Sequence, residues 1–132
     1  MKTATPIQRA RMRYTVAQIV DAVRQGYIGT TDEVLSPKER GVCQFTLANI
    51  ANNLPMPALV FHREHTDKGF KYTVLSGMPR VLAIWAEAQR IGSGTPTFNI
   101  DQFWKYDVDI DFLDVDIETA KQTADRIREA RW

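Results

Sequence analysis

Hydrophobic positions recur along the chain with two periods, and the switches between them mark the elements. In "TVAQIVDAVRQGYI", Val16, Ile19, Val20 and Val23 share one face at helical spacing. Thr15 stands at the N-cap with Gln18 three residues on, a capping-box arrangement, and Gly26 is the expected stop. A second helix is expected over "QFTLANIANNL", with Phe45, Leu47, Ile50, Ala51 and Leu54 on its apolar side. The prolines of "PMP" break it, and the spacing turns from helical to alternating. Ala58 to Phe61 read as a buried strand, "HTDKG" as a turn with Gly69 at positive φ, and "FKYTVL" as the partner strand of a hairpin. Helical spacing returns over residues 77–91, where Val81, Ile84, Trp85, Ala88 and Ile91 lie on one side.

"GSGTP" ends that helix, and "TFNIDQFWKYDVDIDFLDVD" is expected to be strand-rich. There Tyr106, Val108, Ile110 and Phe112 alternate with Lys105, Asp107, Asp109 and Asp111. A polar helix over residues 117–130 follows, with Asp116 as its cap and Arg126, Arg128 and Arg131 near the end that favours cations. Two segments show neither period. Residues 1–13, with Lys2, Arg9, Arg11 and Arg13, read as a flexible basic arm, a solvated tail before a phosphate-gripping one. Residues 29–43 read as a long polar loop carrying Lys38 and Arg40 among Gly29, Pro37 and Gly41. The pattern therefore predicts a single α+β domain over residues 14–132, a small mixed or antiparallel sheet packed by three to four helices.

Composition narrows the chemistry. A chain of 132 residues holds one core. The net charge of +1 gives no global attraction for nucleic acid, so such binding requires a local patch. The single cysteine, Cys43, excludes an internal disulfide and a multi-cysteine zinc site. No apolar run reaches membrane-spanning length and the basic N-terminus has no apolar leader core. The expectation is a cytoplasmic protein with no membrane partner.

The most informative stretch is "VLSGMPRVLAIW". A strand ends, Gly77 follows, and Arg80 lies one turn into a helix. Such a turn presents backbone N–H groups to an anion, and Arg80 adds a bidentate donor. Lys38 and Arg40 are placed to close the other side from the loop. Against this, Pro79 lacks an N–H and Met78 adds no side-chain donor. On spacing alone the plainer interpretation is favoured: Ser76 caps the helix and Arg80 faces solvent.

Other constellations are weaker. Asp107, Asp109 and Asp111 share a strand face, read first as the solvated face of an edge strand, then as a surface for a basic partner, then as a weak metal candidate. His62 and His65 read as exposed turn residues. Cys43 reads as a small buried group before a thiol of lowered pKa. Phe98, Phe103, Trp104 and Tyr106 read as core before base-stacking platform.

Taken in order, "NNLPMPALVFHRE" and "YTVLSGMPRVLAIW" resemble the ParB/sulfiredoxin-like superfamily, and are most similar to the ParB-like N-terminal domains of modification-dependent restriction enzymes and related phage-defence proteins. The resemblance covers residues 14–92. It implies that Gly77 and Arg80 match the family's Asp-Gly-x-x-Arg turn, with Lys38 or Arg40 near a further arginine. Ser76 stands in place of the aspartate and Pro79 in place of a glutamine, so metal binding and water activation are not expected at this turn. The sulfiredoxin chemistry requires a cysteine in the turn, and Cys43 lies elsewhere. What the resemblance implies is a regulatory or accessory domain, more binding module than enzyme, that holds a nucleotide or the DNA phosphate backbone through Gly77, Arg80, Ser76, Lys38 and Arg40. No cofactor beyond a nucleotide is expected. The alternatives are a phage-type anti-defence inhibitor that meets a host protein through its acidic strand, and a residual phosphohydrolase or nuclease using the aspartates.

Overall fold

A computed structural model describes residues 9–30, 35–67, 69–114 and 116–130. The elements in chain order are β1 (Arg9–Thr15), α1 (Val16–Arg24), α2 (Pro37–Ala51), β2 (Leu59–Thr66), β3 (Gly69–Ser76), α3 (Met78–Gly92), α4 (Ile100–Lys105), β4 (Asp107–Leu113) and α5 (Ile117–Ala130). The fold is α+β. Four strands form one mixed sheet in the order β1-β4-β2-β3, antiparallel at both outer pairs and parallel between β2 and β4. Among the described residues five helices accompany it, because the segment before β4 contributes α4 where strand is expected. Asn99 accepts from the N–H of Gln102 at 3.0 Å and so starts that helix.

The alternation within β4 decides which side chains meet which layer. Val108, Ile110 and Phe112 point to the face packed by the helices, alongside Leu59 and Phe61 of β2. Ile19 and Val20 of α1, Ile50 of α2 and Val81 and Ile84 of α3 complete that core. The opposite face carries a smaller cluster, in which Val60 and Leu113 meet Ala120 and Ala124 of α5, with Leu75 packed against it. Small residues on α5 let the helix approach the sheet closely. The capping box at Thr15 forms as expected, with Gln18 N–H donating to Thr15 Oγ1 at 3.3 Å and Thr15 N–H to Gln18 Oε1 at 2.8 Å.

Three expectations are corrected. First, residues 9–13 are not part of a free arm; residues 1–8 lie outside the described residues. β1 pairs with β4 so that Arg11 stands opposite Asp111 and Arg13 opposite Asp109. Arg11 grips Asp111 with two bonds, 2.7 and 3.1 Å, and Arg13 Nε donates to Asp109 at 3.0 Å. Opposite charges on facing residues draw the basic segment into the ladder.

Second, β4 is an interior strand. Asp111 is fully buried, and no solvated acidic edge is presented by Asp109 and Asp111. Among the described residues no cluster of His, Cys, Asp and Glu is arranged to hold a metal. Third, the expected loop before residue 44 is helical from Pro37. Ser36 and Glu39 form a reciprocal capping box, with bonds of 3.0 and 3.2 Å, and Pro37 occupies the first turn.

A buried carboxylate on α3 ties down the segment that follows it. Glu87 accepts from the N–H and hydroxyl of Thr97 at 2.9 and 2.6 Å and from Arg90 Nε at 2.9 Å. Burial pushes the Glu87 carboxyl up, but the Thr97 and Arg90 bonds outweigh it and leave its pKa below the ordinary 4.5. A folded value below the unfolded one gives stability that is present above the unfolded pKa and lost as pH falls through the folded value. Glu87→Gln is expected to lower the melting temperature at neutral pH and to flatten the acid limb of the stability profile. Thermal melts followed from pH 7 into the acid range check this.

The two cross-strand pairs differ in what their loss exposes. Arg11→Ala leaves a carboxylate without solvent contact, whereas Arg13→Ala leaves Asp109, which is one-third exposed. Urea unfolding is expected to show a distinctly larger loss of stability for Arg11→Ala than for Arg13→Ala. Asp111→Asn, which keeps a hydrogen-bonding acceptor, should fall between them.

Candidate functional site

β3 ends at Ser76, and α3 begins at Met78 with Gly77 between them at φ 100° and ψ 17°. Gly77 itself is the N-cap, and no side chain caps this helix. Ser76 is therefore not the cap that its position predicts; it pairs with Val60 in the β2–β3 ladder. The glycine has two structural causes. Its backbone lies in the left-handed region, and a Cβ there would overlap the buried Leu59 side chain. The Gly77 carbonyl accepts from the N–H of Arg80 at 2.9 Å and of Val81 at 3.1 Å. Pro79 has no N–H and that of Arg80 is engaged, so the first turn offers an anion little backbone donor capacity.

The side chains are more informative than the backbone. α2 lies across the start of α3, fixed by the Cys43 thiol on the Pro79 carbonyl at 3.1 Å. Burial and, to a lesser degree, the neighbouring Glu39 push the Cys43 thiol up, so it is not an activated thiolate. Two faces of α2 border two different depressions. On one face Lys38, Val42, Phe45 and Asn49 recur at helical spacing and meet Arg80 across a cleft of about 400 Å³. On the other, Arg40, Cys43 and Leu47 face Trp85 and Arg90 across a groove of about 500 Å³.

Lys38 and Arg80 are thus brought together as the sequence led one to expect. Arg40 is not: two residues from Lys38 on a helix, it turns to the far side. Neither Gly77 nor Ser76 lines the cleft.

Phe45, expected on the apolar core side of its helix, is 73% exposed and sits in the cleft wall. The buried face of α2 is marked by Thr46 and Ile50, one turn apart, and Phe45 lies off that face. Thr46 beside it is buried and donates to the Val42 carbonyl at 2.8 Å. Phe103 and Tyr106 are core residues; Phe98 and Trp104 pack edge-on to Phe103 at 5.9 and 4.9 Å between ring centres. His62 is buried in β2 rather than exposed in a turn, because the strand continues to Thr66. Three residues apart on a strand, His62 and His65 face opposite sides, and His65 stacks on Phe70 at 4.5 Å.

No protein-family model matches the chain, and no curated protein or solved structure matches it.

The turn supplies its own test. Gly77→Ala places a side chain in left-handed backbone against Leu59 and is expected to cost about 2–4 kcal/mol of stability. Chemical unfolding measures this directly, and Met78→Ala serves as the control at the adjacent position.

Proposed function

We propose that the cleft between α2 and the start of α3 binds a nucleotide, free or as a unit of a nucleic-acid strand, with Lys38 and Arg80 on its phosphate and Phe45 against its base. The observation that carries this reading is the convergence of two cations and an exposed aromatic ring on one cleft. Its volume, about 400 Å³, lies in the range of small-ligand sites. Arg80 supplies a planar fork for phosphate oxygens, Lys38 a point charge, and Phe45 a face on which any base stacks. Asn49 adds an amide at the same wall.

Among the described residues the lining of the cleft holds no carboxylate, and the turn carries Ser76 where a metal-binding aspartate would stand. We therefore assign a binding role, regulatory or accessory, rather than catalysis. The order of α2, the "PMP" segment, the β2–β3 hairpin, the Gly77 turn and α3 supports a ParB/sulfiredoxin-like core on the same footing. An inhibitor acting through its acidic strand lacks comparable support, since Asp109 and Asp111 face arginines of the chain itself.

Fluorescence anisotropy with a labelled nucleoside triphosphate and a labelled single-stranded oligonucleotide tests the reading. Lys38→Ala and Arg80→Ala should each weaken binding about tenfold, and for the oligonucleotide lower the log–log salt slope by about 0.7. Phe45→Ala should weaken both ligands while leaving inorganic tripolyphosphate unaffected. Binding that survives Arg80→Ala unchanged in a folded protein overturns the assignment.

A further inference from the structure

A smaller cavity lies between α1 and the sheet and shares no residue with the cleft between α2 and α3. Its volume is about 160 Å³, and aromatic rings make much of its wall. Tyr14 of β1, Phe61 of β2, Tyr72 of β3 and Phe112 of β4 contribute one ring from each strand, and Ile19 and Ala22 of α1 close the other side. The rings hold one another at steep angles. Tyr14 stands edge-on to Phe112 at 5.9 Å and 82°, Phe61 edge-on to the same ring at 6.0 Å and 78°, and Tyr72 tilted against it at 5.2 Å. The Arg63 guanidinium lies 5.2 Å from the Phe112 ring centre and is itself held by Asp114 Oδ1 at 2.7 Å. This wall is braced, and it offers both faces and edges to an inserted ring.

Size and polarity restrict the occupant. An apolar cavity of about 150 Å³ accepts one benzene-sized ring, so one six-membered ring fills this space. Two donor groups stand at the rim. Among the described residues the Tyr14 hydroxyl donates to Met12 Sδ at 3.7 Å, a weak bond that an oxygen or nitrogen acceptor would replace. Gln18, also in the wall, has its Oε1 taken by the Thr15 N–H at 2.8 Å and presents its amide N–H donors at the exposed rim. An aliphatic occupant of equal volume would form no bond with either group.

We propose that this cavity is a binding site for one planar six-membered heteroaromatic ring of the pyrimidine-base type, with its carbonyl or ring-nitrogen acceptors toward Tyr14 and Gln18. The assignment stands apart from the nucleotide reading of the cleft, because the two sites have no residue in common and either can fail alone.

The test uses the full chain, titrated with free uracil and separately with cyclohexanol, and followed by amide NMR shifts. Uracil should give saturable shifts centred on α1 and on Tyr72, and cyclohexanol should bind more weakly. Tyr14→Phe keeps the ring and removes the donor, and should weaken uracil about three- to tenfold without altering the fold. Ala22→Leu fills the cavity from α1 and should abolish the shifts. The proposal is overturned if uracil produces no saturable shift at millimolar concentration, if Tyr14→Phe binds uracil as the wild type does, or if cyclohexanol binds as tightly as uracil.

Discussion

The carboxylate of Asp111 has no solvent contact, and its charge is tolerated because Arg11 reaches it with two bonds from the neighbouring strand. Burying such a group alone is costly, and Arg11 on β1 supplies two of the bonds that let β4 occupy the interior of the sheet. The arrangement also sets register. A slip of one residue would turn Arg11 and Arg13 onto the apolar face and lose both ion pairs at once. With β4 fixed, its other edge receives β2 in parallel, and the β2–β3 hairpin then delivers Ser76 and Gly77 to the start of α3. The position of the cleft therefore depends, through the sheet, on a pair of side chains remote from it.

Elements whose cause is local could be read from the chain. The capping box at Thr15, the prolines after α2, the hairpin turned at Gly69 and the apolar stripe of α3 each depend on residues within a few positions. The losses arose where the cause is distant or where two signals competed. The arginines of β1 resemble a tail until the aspartates opposite them are known, and those lie at the other end of the sequence. At the start of α2 two signals compete: Pro37 and Gly41 favour a loop, whereas Ser36 and Glu39 form a capping box in whose first turn proline is well placed.

The same imbalance governs the cleft. Arg80 and Lys38 are legible as candidates from their charge, but what brings them together is the packing of α2 on the start of α3. Phe45 and Arg40 are not, because the buried face of α2 runs through Thr46, which hydropathy does not mark as core, and Arg40 has a fixed direction only once residues 37–43 are helical. Glu87 could not be singled out at all. A glutamate within an apolar stripe looks like a surface residue until Thr97 is seen to fold back over it.

The separation between partners has a consequence for how the chain is made. Arg11 and Asp111 lie 100 residues apart, and the pair they form sits at the strand junction on which the sheet closes. At ordinary rates of synthesis about 5–20 s pass between the appearance of one and the other. During that interval β1 has no partner strand, while the β2–β3 hairpin and the helices around it can already assemble from nearby residues. Closure of the sheet is then a late, non-local event of the kind that slows folding, and the nascent chain carries an open β2 edge until β4 arrives to cover it.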